Sequence, residues 1–299
     1  MDTGANWFVP SGRTHALIGG SANSGRHNHM IIESGANTTT FGNLTVSRSS
    51  QPGCYHSETR AITHAGHAGT NQNTIDYFTF ESAGNAVDFG DSTVSRHGVT
   101  GMQNTVRGIG AGGHDGGYRD IMDYVTMATT GNGTYFGDMT RHAYLRGSVS
   151  NNTRGVMHGG EVGNSTPINT IDYITIATTG NATDFGDMIT AQWSFQSASD
   201  ATKGVFMPGY ISANVGYGVA IEHITIGTPG NASSFGNFTD GKRSGSVDNA
   251  KIGVGATTNT ATTSLEQFTI QTNADATAFS GSLHNGAHGH CFDSCIAKG

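Results

Sequence analysis

At 299 residues, with a formal charge of −7 and only 15 Lys plus Arg, the chain lacks the basic footprint of a nucleic-acid-binding protein. Charged residues make up 12% of it, about half the share in an ordinary soluble protein, while Gly numbers 45, so a turn-rich scaffold with a hydroxyl- and amide-covered surface is expected. There is no apolar run of about 18 residues to cross a membrane, and three cysteines (Cys54, Cys291, Cys295) are too few for a disulfide framework.

In chain order, residues 1–11 have neither a basic start nor an apolar stretch, so no ordinary signal peptide is expected. Trp7, Phe8, Val9 and Pro10 read as an apolar docking arm, since such a run is poorly placed in water. A unit then recurs six times, marked by Phe41, Phe89, Phe136, Phe185, Phe235 and Phe279 at intervals of 48, 47, 49, 50 and 44 residues. Twelve residues before each Phe lie His29, Tyr77, Tyr124, Tyr173, His223 and Gln267. One residue earlier lie Asn28, Asp76, Asp123, Asp172, Glu222 and Glu266. Four before each Phe sits Asn37, Asn85, Asn132, Asn181, Asn231 or Asp275, which read as residues of a tight hairpin turn able to take positive φ.

Within the fourth unit the pattern predicts strands over 141–149, 153–160, 170–178 and 182–190, the second ending in Gly159-Gly160. The Gly pair recurs as Gly19-Gly20 and Gly112-Gly113. The loops that follow vary in content: 70–73, 116–118, 165–167 and 213–215. Variable loops on one face of a repeat array are the usual place for binding. A period of 40–50 residues built from short strands is the pattern of propeller blades. The first unit begins at Gly12 with a second strand, and a surplus tail, 284–299, stands where a first strand is missing. An all-β, six-bladed propeller closed by its two termini is therefore expected, with blades at 12–45 plus 284–299, 46–93, 94–140, 141–190, 191–240 and 241–283.

An Arg-started strand, a strand ending in Gly-Gly, a loop and a Tyr-bearing strand together resemble the kelch-type β-propellers, with Phe standing where kelch blades usually carry Trp. The wording of residues 169–188, NTIDYITIATTGNATDFGDM, is more specifically similar to repeats in virion proteins of tailed phages, notably marine ones. The resemblance implies a non-enzymatic structural or interaction protein on a tail, fibre or capsid surface. It would act in the particle and outside the cell after release, with other virion proteins or further copies of itself as partners.

Other constellations are weighed against that reading. Gly108-Ile109-Gly110-Ala111-Gly112-Gly113 matches a dinucleotide fingerprint, but no helix pattern follows it, so it reads as a blade strand. The acidic column from Asp76 to Glu266 recurs once per unit, which suits a structural hydrogen-bonding role better than a catalytic one. His56, His288 and His290, with His64 and His67 nearby, are the candidates for a metal site at the closure seam, and Cys54 with Cys291 for a disulfide there. Tyr118, Trp193 and Tyr210 are candidate stacking platforms for a host-surface glycan, the alternative lectin-like reading. No catalytic residue and no cofactor is expected, nor any nucleic-acid partner or membrane insertion.

Overall fold

The computed structural model describes residues 15–19, 25–32, 37, 39–48, 53–80, 82–193, 197–241, 244–259, 262–280 and 295–297. These residues form six four-stranded antiparallel sheets and one two-stranded hairpin, with no helix among them. Sheet 1 orders Cys295–Ala297, His15–Gly19, Arg26–Ile31 and Thr39–Asn43, so the end of the chain pairs with its beginning, Ala297 opposite His15 and Cys295 opposite Leu17. Sheet 2 contains Gly53–His56, Arg60–His67, Asn71–Thr79 and Val87–Asp91; sheet 3 contains Thr100–Gln103, Arg107–Ala111, Ile121–Thr126 and Thr134–Asp138. Sheet 4 is Gly147–Ser150, Arg154–His158, Thr170–Thr175 and Thr183–Asp187; sheet 5 is Ser197–Ser199, Lys203–Phe206, Ala220–Thr225 and Ser233–Asn237. Sheet 6 is Ser244–Asp248, Ile252–Asn259, Thr262–Thr269 and Thr277–Ala278.

The first strands of successive sheets lie beside one another from sheet 2 to sheet 6, and Cys295–Ala297 touches the first strands of both sheet 6 and sheet 2. They approach closely because their residues are small. A Cβ on Gly101 would fall 2.2 Å from the Cys54 carbonyl oxygen. Serines supply the cross-links: Ser148 Oγ donates to Gly101 O at 2.6 Å, and Ser246 Oγ donates to Ser197 O at 2.8 Å. Much of the Gly and Ser in the composition is used where neighbouring backbones meet.

The repeated Phe packs between sheets. Phe89, Phe136, Phe185, Phe235 and Phe279 are all buried, and in the first four the ring twelve residues earlier meets the Phe edge-on, as Tyr173 does Phe185 at 5.9 Å between centroids. Arg60, Arg107 and Arg154, each opening a second strand, lie over Tyr77, Tyr124 and Tyr173 and donate to carbonyls of the following sheet. Such a stack combines cation–π attraction with a satisfied guanidinium.

Two expectations need correction. The strand predicted over 141–149 is only Gly147–Ser150. Residues 141–146 are a linker, in which Leu145 takes φ +58°, Tyr144 bridges Glu161 and Arg146 turns inward. The connection after Thr170–Thr175 is likewise no two-residue hairpin, because seven residues separate it from Thr183–Asp187. Its β-turn is closed earlier, by Thr178 N–H donating to Thr175 O, and none of Asn85, Asn132, Asn181 and Asn231 has positive φ.

The Gly-Asn stretch instead runs along the preceding sheet. Gly180 N–H donates to Phe136 O, and Asn181 Oδ1 accepts the Asp138 N–H at 3.0 Å; Asn85, Asn132, Asn231 and Asp275 do the same for residues 43, 91, 187 and 237. The Gly of each Phe-Gly makes this contact fit. At Gly186 φ is +145°, and a Cβ there would meet the Gly230 carbonyl at 2.6 Å. An L-residue would be strained and would push the next sheet away.

Candidate functional site

Two sets of repeated positions differ in what they do, and the first builds the support for the second. The support is a clamp on each inter-sheet linker. The acid in the third strand of a sheet holds the linker that enters that sheet: Thr45 Oγ1 and Arg48 donate to Asp76, Thr93 and Arg96 to Asp123, and Thr140 and Arg146 to Asp172. All three Arg–Asp pairs are fully buried. The same Thr recurs as Thr239, whose N–H donates to Glu266; in the fourth unit Ile189 holds that position, and its N–H and that of Thr190 donate to Glu222. The signal in sequence is Phe-Gly-Asp/Asn-x-Thr, broken in the fourth unit by Ile189, read with the acid of the following unit. It is visible only when one copy is aligned against the next.

Around Asp123, burial favours the neutral acid, but His64, Arg96 and Thr93 outweigh it and hold the carboxyl well below the usual carboxylate range. Tyr55 Oη lies 2.9 Å from His64 Nδ1, and His64 Nε2 lies 3.1 Å from Asp123 Oδ1. His64 therefore points into sheet 3, and His67 packs against His97. His64 thus reaches a residue of sheet 3, and His67 one of the linker that enters it. His56 is buried, with its Nδ1 3.3 Å from Ser57 O. No group of three or more His, Cys, Asp or Glu is placed to hold a metal among the described residues. His288, His290 and Cys291 lie outside the described residues, as do Trp7, Phe8 and Val9. Cys54 is half-buried, its Sγ 3.6 Å from Thr63 Oγ1.

The second set faces outward. In three successive linkers, one residue exchanges backbone hydrogen bonds with the residue that follows the Gly pair or, before Tyr210, Pro208-Gly209: His97 with His114, Tyr144 with Glu161, and Trp193 with Tyr210. These six positions share one register in three consecutive sheets yet carry His, Tyr, Trp or Glu. All six are half-buried, five of them rings and one a carboxylate. The loops between second and third strands add Tyr118 and Tyr217.

On sheets 2 to 4, His97 lies 5.4 Å from both His67 and His114, and Tyr144 is 5.3 Å from His97 and 6.2 Å from Tyr118, measured between ring centroids. Tyr118 OH donates to Glu161 Oε1 at 2.8 Å. Burial, with the Glu161 charge and Tyr118 beside it, pushes the Tyr144 phenol up to about 12. Burial and the neighbouring imidazoles hold His97 below its ordinary value. Both groups are neutral at pH 7.

On sheet 5 the candidates Trp193 and Tyr210 come together, rings 4.8 Å apart and tilted by 32°, and Tyr217 meets Tyr210 edge-on at 5.3 Å. Gln192, buried beneath them, accepts the Gly209 N–H at 2.7 Å and pins the two segments. Tyr210 and Tyr217 sit on the hairpin Tyr210–Ser212 with Gly216–Tyr217, an element the sequence pattern does not predict. Tyr118 and Trp193 thus belong to two neighbouring ring clusters on one face. Sequence reasoning missed His97, His114, Tyr144 and Tyr217, whose only signal is their register.

The chain matches no protein-family model and no curated protein.

Proposed function

We propose that the six sheets are the blades of a closed, kelch-like propeller, and that the protein is a non-catalytic interaction subunit of a phage virion, borne on a tail, fibre or capsid surface. Supporting closure are the pairing of Cys295–Ala297 with His15–Leu17 and its contacts with the first strands of sheets 2 and 6. Supporting the interaction role is one observation above all. The register positions 97/114, 144/161 and 193/210 carry half-buried rings and a carboxylate, whereas the inner positions of the same units are held to Gly, Ser, Phe and an acid. A fixed scaffold with a variable, preformed rim is an arrangement for recognition. The repeated carboxylates are committed to linker donors, which suits structure rather than turnover. The virion setting rests on the wording of residues 169–188.

Quantitative mass spectrometry of purified particles tests the setting. A fixed copy number per particle is expected, and absence from particles overturns it. Deleting residues 284–299 tests closure, with an early, broad melt expected, and parent-like melting counts against it. Deleting residues 1–11 should leave the fold intact and reduce incorporation through loss of the Trp7–Phe8–Val9 arm.

A further inference from the structure

Resting on the reading of this face as a recognition surface, we infer that its ring row binds a neutral, linear polysaccharide, with Trp193 and Tyr210 as the principal stacking pair. The site is preformed. Trp193 is held by two backbone hydrogen bonds to Tyr210 at 3.1 Å each, and Gln192 beneath ties the linker to Gly209. Little ordering is therefore left to accompany binding, the condition under which a shallow platform retains affinity. A ring of this kind presents an apolar face flanked by polar atoms, which matches the C–H face and the equatorial hydroxyls of a pyranose.

Charge selects the ligand. Residues 188–193 and 204–221, which build the platform, contain no Asp, Glu, Lys, Arg or His. Their polar groups are hydroxyls, amides and backbone, with Ser212 and Asn214 on the hairpin. Nothing there would compensate the charge of an acidic sugar or a phosphate, and burying an unpaired charge is unfavourable. An extended ligand is indicated by repetition, since Tyr144 and His97 occupy the same linker register in the two preceding sheets, with Tyr118 and His114 beside them. A row of rings at blade spacing suits a polymer of like units better than a single sugar. A protein partner would need a larger apolar centre than this rim offers. On the sheet 5 hairpin the strongly exposed aliphatics are Val215 and Val219.

The test uses the full chain carrying Trp7→Phe, so that Trp193 is its sole tryptophan, in affinity electrophoresis through gels containing dextran, laminarin, mannan, agarose, alginate or chondroitin sulfate. Retardation by at least one neutral polymer, little by the two anionic ones, and a change in Trp193 emission on titration are expected. Tyr210→Ala should weaken retardation by at least about tenfold, a hot-spot-sized loss. Tyr210→Phe, which keeps the ring, should retain most of it and controls for folding. No retardation by any neutral polymer with the circular dichroism unchanged overturns the inference, as does binding that Tyr210→Ala leaves intact or that only the anionic polymers give. The readouts separate this inference from the broader reading. Reducing-end release from a bound polymer would end the non-catalytic reading and leave the sugar site standing, whereas fixed copy number in particles without polymer binding would do the reverse.

Discussion

The junction of sheets 2 and 3 and the junction of sheets 4 and 5 begin from the same residue and end in different chemistry. His64 and His158 occupy one register, each just before its sheet's positive-φ pair. Facing His64 in the next sheet is Gly110, on which a Cβ would fall 2.8 Å from the imidazole. That space lets His64 lie across the strand and reach Asp123, completing a buried cluster with Arg96. Facing His158 is Phe206, which fills the space. The imidazole stacks on it at 3.8 Å and bonds Ser197 Oγ instead, at 2.6 Å. Burial, with Arg146 nearby, then lowers His158 to about 3. The position corresponding to Arg96 is held by Gln192, and Glu222 is left with the N–H groups of Ile189 and Thr190. One junction is clamped by charge and the other by apolar packing. The relaxed clamp is the one beneath the Trp193–Tyr210 platform, as expected where a functional surface departs from the local rule.

Removing the central carboxylate gives the largest contrast. Asp123→Ala should destabilise by about 3–5 kcal/mol, because Arg96 is left buried and uncompensated. Urea unfolding with fluorescence and circular dichroism would measure it, and a loss below about 1 kcal/mol, the scale of an exposed pair, would show that the cluster is no clamp. On the other side, Phe206→Ala should forfeit a similar amount, about 3–5 kcal/mol for a fully buried ring, and should release His158 from its stack. The His158 imidazole should then titrate nearer its ordinary value, which NMR would follow.

The two junctions should respond to acid in opposite senses. The Asp123 carboxyl is lowered from 3.8 on folding, so its contribution is present above 3.8 and disappears as the pH falls through the native value. Glu222 is raised from 4.5, chiefly by burial, so its contribution is complete below 4.5 and fades as the pH rises through the native value. Glu222→Gln should therefore flatten the stability profile above pH 4.5, at a constant loss because its amide NH2 then faces one of the two backbone donors. Thermal melts across that range check this, and an unchanged slope would mean that Glu222 does not set the profile.

Much of the scaffold is legible in the sequence because a repeat reports the same environment six times. The Phe column, the acidic column and the four-strand unit all recur, and one register finds them all. The turn is not legible because Gly-Asn has two uses. Local pattern favours the hairpin, while the actual use, an amide capping the preceding sheet, depends on a contact more than 40 residues away. The Arg of the clamp falls within the predicted strand for the same reason, since its partner acid lies 26 residues on in sheet 4. The ring row was half legible. Tyr118, Trp193 and Tyr210 stand out as large aromatics in polar loops, but His97, His114 and Tyr144 gain meaning only when the Gly pairs bring linker and loop together.

The smallest effect is the sharpest check on the independence of the two layers. Asn181 caps Asp138 N–H between sheets 3 and 4, and Asn231 caps Asp187 N–H between sheets 4 and 5, both at 3.0 Å. Both caps are exposed, so each Asn→Ala change removes one hydrogen bond whose donor then turns to water, a loss of about 1 kcal/mol. Sheet 4 stands on both sides of this comparison, entered through the Arg146–Asp172 clamp, whereas sheet 5 has no such ion pair among the described residues. If the outer caps act independently of the buried clamps, Asn181→Ala and Asn231→Ala should agree within about 0.5 kcal/mol, and the double variant should show their sum. A larger loss for Asn231→Ala in urea unfolding would mean that the relaxed junction leans on its cap. In that case the platform beneath Trp193 and Tyr210 would be held from the rim as well as from the core, and Asn231→Ala would also shift Trp193 emission.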